Sequence, residues 1–337
     1  TKIIVFYPKN GVSRVQELQM VTQKGENTSV VAIHGNFDNA QSGVKALFED
    51  KELEKELSEA GYQFSSANSI NIGRLVPQIV YYVYAYAKLL ENEEIADGEE
   101  LNVTVPTGNF GNILAAYYAK QMGVPIGKLI CASNENKVLF DFFQTGTYDR
   151  NRKFVLTSSP SMDILISSNL ERLIYTISGQ DAKKDSELME QLKENGKYEI
   201  TAEMKEKLKD FAGGYATEEE TKAAIHEVYK KTGYVMDTHT AVASHVSREY
   251  RKESGDNRKM LVASTASPYK FVRIVISAID ETYAQMDEFA LIGELEKASN
   301  MDVPGAIKEI LHAEIRHTRE CDADKMKDTV KDILEIR

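Results

Sequence analysis

Short runs of consecutive apolar residues alternate along this chain with stretches whose apolar positions recur at helical spacing. The runs at 2–7, 29–33, 101–105, 128–132 and 259–264 are rich in Val and Ile and bounded by polar residues or Gly, so each predicts a buried strand. A weaker strand is expected at 62–65. The stretches at 12–23, 44–60, 75–90, 112–122 and 162–178 carry the amphipathic helical period. Strands that alternate with helices in this way predict an α/β protein with mainly parallel sheets flanked by helices, because parallel neighbours need a crossover and a helix commonly supplies it.

Residues 179–233 have a different texture. The patterns at 181–195, 201–211 and 217–231 are charged and helical, are separated by Gly196, Gly213 and Gly214, and contain no expected strand. A helical insertion lying over the α/β core is predicted there. The charge runs Lys183-Lys184-Asp185 and Glu218-Glu219-Glu220 suit solvated helix faces. The tail, 287–337, is expected to be helical and broken at Pro304-Gly305.

Composition narrows the class. A length of 337 residues suggests two domains, or one with a sizeable insertion. No apolar run approaches the roughly 20 residues that span a bilayer, and no basic-then-apolar leader opens the chain, so a membrane role is not expected. The formal charge of −11 disfavours nucleic acid as a partner, though local donors can still bind a small phosphate. Cys131 and Cys321, the only cysteines, fit no metal or redox spacing and point to a reducing, cytoplasmic setting. None of the six histidines has metal-ligand spacing. Thr1 leads straight into an apolar strand pattern with no initiator Met, which suggests a fragment, a processed terminus being the alternative.

The most informative segment is Pro106-Thr107-Gly108-Asn109-Phe110-Gly111-Asn112, between the expected strand at 101–105 and the helix at 112–122. A glycine-bearing turn before a helix presents free backbone N–H groups to one point, and the helix dipole adds positive potential there. Thr107, Asn109 and Asn112 offer side-chain donors, and Gly108 and Gly111 admit close approach. These features suit a phosphate cradle, and they also suit an ordinary strand-to-helix turn. The loop is neither a Walker A sequence nor a dinucleotide fingerprint.

Read with His34-Gly35-Asn36-Phe37-Asp38-Asn39-Ala40-Gln41, with Ser66-Ala67-Asn68-Ser69-Ile70-Asn71-Ile72-Gly73-Arg74, and with Ser264-Thr265-Ala266-Ser267-Pro268-Tyr269-Lys270-Phe271, this loop resembles threonine synthase, a fold-type-II pyridoxal-phosphate enzyme. Asp237-Thr238-His239-Thr240-Ala241 also looks like a segment of that family. The resemblance runs in order from Thr1 to about Ile279 and is thinner beyond. It implies two α/β domains with the cofactor between them. In this chain they would be 1–74, what remains of the small domain, and 75–337, the large domain with its insertion at about 179–233.

The resemblance also implies roles for individual residues. Gly108, Asn109, Phe110, Gly111 and Asn112 would hold the phosphate of pyridoxal 5′-phosphate, and Thr265 would hydrogen-bond its pyridine nitrogen. Thr265 equally suits a helix cap ahead of Pro268. Arg74, with Ser69 and Asn71, is expected to hold the substrate phosphate, a guanidinium being suited to forked phosphate recognition. Arg74 could instead be a surface residue that opens a helix. His34 could face the cleft or be structural, and His239 and His245 are weaker candidates. Tyr81, Tyr82, Tyr84 and Tyr86 are assigned to the core. Family members carry the cofactor on a lysine upstream of a serine- and glycine-bearing loop, and no lysine here sits in such a motif. Lys270 lies on the wrong element.

The expected activity of the parent protein is conversion of O-phospho-L-homoserine and water to L-threonine and phosphate, with this chain inactive alone. Another fold-type-II lyase, such as a threonine or serine dehydratase, and a non-catalytic phosphate-binding module are the alternatives. The expected assembly is a monomer or homodimer.

Overall fold

The computed structural model describes residues 1–337 except Asn36, Ser66, Ala67, Asn68, Ile70 and Arg337, and it describes no side chain for Phe37, Asp38 or Gln41. Among the described residues the strands are β1 Ile3–Pro8, β2 Thr28–His34, β3 Leu101–Pro106, β4 Ile126–Ser133, β5 Thr147–Asp149, β6 Lys197–Glu199, β7 Phe211–Tyr215, β8 Lys259–Val262 and β9 Arg319–Asp322. Contacts divide the chain into two compact units, Thr1–Ser65 with Gln285–Arg337, and Ser66–Ala284. No helix among the described residues is long and apolar enough to cross a membrane.

The first unit holds a parallel three-stranded sheet in the order β1-β2-β9. Ile33 of the central strand packs with Leu47, Leu53 and Leu57 from the helices that follow it directly and with Met326 and Val330 from the last helix of the chain. The single helix expected at 44–60 is two, Phe37–Glu49 and Lys51–Glu59. Asp50 divides them, because its carboxylate accepts from the amides of Glu52 and Leu53 at 3.0 and 2.9 Å and so caps the second helix. No strand forms at 62–65.

The tail departs furthest from expectation. It contains the helices Glu288–Ser299, Gly305–Ile310 and Met326–Leu334, but also β9, which pairs with β2 from Val31↔Arg319 to His34↔Asp322. That pairing joins 285–337 to the first unit, whereas the expected boundary at 74 placed the tail with the second. Arg-Glu-Cys-Asp is an edge strand, mostly exposed, so it carries none of the apolar signal that marks a buried one.

The second unit is built on a parallel four-stranded sheet in the order β7-β4-β3-β8. Every residue of β3 is buried. Leu129 and Cys131 of β4 pack with Ile113 and Leu114 in one cluster, while Ile130 and Ala132 pack with Val242 and Val246 in another. The pleat thus feeds two separate helical layers, and each fully buried Leu or Ile contributes about 2 kcal/mol.

β7 corrects the expectation that 179–233 is purely helical. Its sequence, Phe-Ala-Gly-Gly-Tyr, reads as a break, yet it pairs with β4 from Leu129↔Phe211 to Ser133↔Tyr215. The glycines are there for closeness. A Cβ on Gly213 would stand 3.3 Å from the Cα of Phe140, and one on Gly214 would meet the side chain of Val246. The helices Ala182–Asn195 and Glu218–Thr232 do form as expected, and β5 and β6 make an antiparallel ribbon that packs on the helices Val138–Thr145 and Ala182–Asn195. Tyr148 and Tyr198 stack across that ribbon with ring centroids 5.4 Å apart.

Candidate functional site

All four strands of the larger sheet are parallel, so their carboxyl ends share one edge, where open α/β sheets place their ligands. β3 ends there at Pro106. The amide of Thr107 donates to the carbonyl of Ala132 at 2.8 Å, and its hydroxyl donates to that of Val105 at 2.7 Å, which anchors the loop's first residue. The helix Gly111–Gln121 follows, and the residue before it, Phe110, has φ 65° and ψ −1° with no side-chain cap. A left-handed backbone costs a non-glycine residue about 1–2 kcal/mol. The Phe110 ring offsets that cost by burial beside Phe143 and Phe211, with centroids 6.1 and 6.0 Å away. The ring is therefore the loop's anchor, and only the backbone of Phe110 is left to meet a ligand.

Among the described residues, none accepts a hydrogen bond from the amides of Gly108, Asn109, Phe110, Gly111 or Asn112. The loop carbonyls, by contrast, are tied down. Gly108 O accepts from Ser167 Oγ at 2.7 Å, and Asn109 O accepts from the amide and Nδ2 of Asn169 at 3.1 and 2.8 Å. Both glycines are required by close neighbours. A Cβ on Gly108 would collide with the carbonyl oxygen of Ser161, and one on Gly111 would stand 2.7 Å from Ser69 Oγ. Open amides at a helix start, glycine at the closest approaches and a positive dipole together fit an anion such as a phosphate.

The side chains behave differently from the expectation that Thr107, Asn109 and Asn112 all offer donors. Thr107 spends its hydroxyl on the Val105 carbonyl of β3. Asn112 is committed to the helix Ile79–Glu91 and the turn before it, accepting from Tyr82 Oη and donating to Gln78 Oε1 at 3.3 Å. Asn109 accepts from Ser168 Oγ at 3.4 Å, and only its Nδ2 is uncommitted among the described residues.

Ser69 lies against this loop, and its Oγ accepts from Asn169 Nδ2 at 2.9 Å. Asn71 caps the short helix Ile72–Leu75, accepting from Gly73 N at 3.0 Å, and Arg74 on that helix is exposed. The short helix packs on Gly111–Gln121, so the segment of Ser69, Asn71 and Arg74 is brought to the loop's side. Ser66, Ala67, Asn68 and Ile70 of the same motif lie outside the described residues, as does Asn36 of the motif at 34–41. Thr265 is exposed just beyond β8, and Ala263 N donates to Thr104 O at 2.9 Å, which keeps that segment beside the end of β3. The cap ahead of Pro268 is Ser267, not Thr265.

His34 is exposed with Nε2 3.5 Å from Glu320, and His245 Nε2 is 3.7 Å from Glu220. His239 is buried, with Nδ1 3.2 Å from Asp237 Oδ1, and its Nε2 accepts from Ser161 N at 3.3 Å. Lys270 Nζ lies 5.6 Å from the centre of the Phe271 ring, on the turn Pro268–Phe271. The tyrosine row divides. Tyr82 is 3% exposed and Tyr86 9%, but Tyr81 and Tyr84 are 59% and 62% exposed, so only two of the four belong to the core.

Ser167, Ser168 and Asn169 had no sequence signal. The pattern at 162–178 suggests one helix, but the helix covers only Leu170–Ile177, and the residues before it run as a turn and loop along 107–110. Tyr148 fixes that loop, donating to Leu165 O at 3.1 Å and accepting from Ser167 N at 2.8 Å. A second unforeseen network follows β4, where Asp163 accepts from Asn134, Asn136 and Thr157, and burial pushes its carboxyl above the usual range. The doublet Asn134 and Asn136 directly after a strand was the available signal.

Residues 240–330 match the family described as "Threonine synthase, C-terminal". The chain is 44% identical over 280 residues to threonine synthase-like 1 of Macaca fascicularis, covering 82% of this chain and 37% of that protein. It is 36% identical over 316 residues to threonine synthase of Saccharomyces cerevisiae, covering 89% of this chain and 60% of that one. The solved structure of PLP-bound threonine synthase from Brucella melitensis superposes with a TM-score of 0.82 at 34% identity, over 99% of this chain and 65% of that one. The fold is that of the fold-type-II pyridoxal-phosphate proteins. Within that class the chain is threonine synthase-like, and it spans between about a third and two thirds of the length of these relatives.

Proposed function

We propose that this chain carries the phosphate-binding half of a pyridoxal-phosphate-dependent threonine synthase, which converts O-phospho-L-homoserine and water to L-threonine and phosphate. The observation that carries the reading is the set of amides from Gly108 to Asn112 left without acceptors among the described residues at a helix start. These amides would hold the cofactor phosphate, helped by Asn109 Nδ2. Thr265, beside the end of β3, would donate its hydroxyl to the pyridine nitrogen, and a neutral hydroxyl leaves that nitrogen less protonated than a carboxylate would. Arg74 would fork onto the substrate phosphate, with Ser69 and Asn71 completing the shell. When bound, the cofactor supplies an electron sink for carbanions of the substrate.

The Schiff-base lysine is not assigned to this chain. Lys270 is the lysine nearest in sequence to the Thr265 segment, and its ammonium sits by the Phe271 ring. Two measurements test the reading. The chain should bind pyridoxal 5′-phosphate at least about tenfold more tightly than pyridoxal, a gap of about 1.4 kcal/mol, and equal affinities would overturn the phosphate site. Supplied with cofactor and O-phospho-L-homoserine, the chain alone should release no phosphate above the blank, and turnover would overturn the lysine assignment.

A further inference from the structure

We infer that Ser167 and Asn169 are positioning residues that aim the amides of the anion loop and join that loop to Ser69, an inference that rests on the phosphate site proposed above. A trans peptide unit points its C=O and its N–H in opposite directions. The Gly108 carbonyl accepts from Ser167 Oγ at 2.7 Å, so the amide of Asn109 faces away from that residue. The Asn109 carbonyl accepts from both nitrogens of Asn169, so the amide of Phe110 also faces away from the 167–169 segment. Released from these bonds, either peptide could turn its carbonyl toward the site, and a carbonyl oxygen repels an anion.

Asn169 is itself fixed. It is 1% exposed, and its Oδ1 accepts from Arg172 Nε at 3.3 Å, which sets the direction of the side-chain amide. Its Nδ2 has two hydrogens, one for Asn109 O at 2.8 Å and one for Ser69 Oγ at 2.9 Å. Ser69 Oγ accepts that bond and donates none among the described residues, so its proton can be offered to a ligand. One amide therefore orients a backbone donor on one segment and a hydroxyl donor on another. The segment is stiffened in turn by Tyr148 Oη, which accepts from Ser167 N at 2.8 Å.

The test is titration of the 15N-labelled chain with inorganic phosphate, following the amide signals of Asn109, Phe110 and Gly111. In the unsubstituted chain these signals should shift and saturate. Asn169→Asp keeps the shape but removes both donors, and it should weaken phosphate binding by at least about tenfold, equivalent to about 1.4 kcal/mol. Ser167→Ala should act in the same direction by about threefold, about 0.6 kcal/mol, and it stands in if the first variant does not fold. Asn102→Ala is the control: Asn102 is a fully buried, hydrogen-bonded asparagine at the opposite end of β3, so it should lower the unfolding midpoint and leave phosphate affinity unchanged. Unshifted loop amides in the unsubstituted chain would overturn the site and this inference together. Shifted amides with undiminished affinity in Asn169→Asp and Ser167→Ala, or an equal loss in Asn102→Ala, would overturn this inference alone.

Discussion

Two helices of the second unit begin near the same edge of its sheet, and they begin in opposite ways. At Thr238–Ser254 the donors are closed internally: the Asp237 carboxylate accepts from the amides of His239 and Thr240 at 2.8 and 3.3 Å, and also from the Thr240 hydroxyl. At Gly111–Gln121 no side chain does this, and a left-handed Phe110 stands where a cap would be. Every helix start has the same orphan donors, so the difference lies in who supplies the negative charge. In one case the chain supplies it, and in the other the site is left for a ligand. The closed start also supports the open one, since His239 holds the Ser161 amide and the Ser161 carbonyl fills the space beside Gly108.

The comparison can be broken most forcefully at Phe110. Phe110→Ala removes the anchor that offsets the strained backbone and should cost about 3–5 kcal/mol in urea unfolding. A cost below about 1 kcal/mol would mean that the ring does not hold the loop.

Asp237→Ala should cost about 2–3 kcal/mol, combining a lost cap with buried donors left unsatisfied. Its pH dependence sharpens the point. Burial pushes the Asp237 carboxyl up, but hydrogen bonds from His239 and Thr240 outweigh that and hold it below the usual carboxylate range. A carboxyl depressed on folding stabilises above its unfolded pKa and loses that contribution as pH falls through the folded one. Stability measured by thermal unfolding should therefore fall on acidification below about pH 4, and Asp237→Asn should flatten the slope.

Gly111→Ala should cost about 1–2 kcal/mol, because the added Cβ would stand 2.7 Å from Ser69 Oγ and 2.9 Å from Ser69 Cβ, so that the hydroxyl must rotate and the Ser69 backbone must shift with it. The same rotation should weaken phosphate binding, so a calorimetric titration separates the two effects. At the small end, Tyr82→Phe should cost about 1 kcal/mol through its lost bond to Asn112. Tyr84→Ser, on the exposed face of the same helix, should stay within about 0.5 kcal/mol.

Much of the fold was legible in the residues because its signal is local. The strands at 101–105 and 128–132 are buried in a parallel sheet and the one at 259–264 is its half-buried edge, yet all three spell themselves as short apolar runs, and the observed β3, β4 and β8 lie on them. β7 and β9 were not legible. One is thinned to glycine by the helices packed on it, and the other is a polar edge that becomes a strand only by pairing with β2, nearly 300 residues away in sequence. The tyrosine row shows the same limit, since four aromatics within six residues do not reveal which face of their helix the rest of the chain covers.

By itself the sequence determined the alternation of strands and helices and the glycine-bearing turn at 107–112, since a backbone's allowed angles and an apolar run's need for burial are properties of neighbouring residues. Only the tertiary structure decided which donors of that turn remain open. Asn112 is consumed by Tyr82 and Gln78, the Gly108 and Asn109 carbonyls are claimed by Ser167 and Asn169, and Ser69 is set beside Gly111. A hydrogen bond is satisfied by whatever lies within about 3 Å, and that is a question of packing across the chain rather than of order along it.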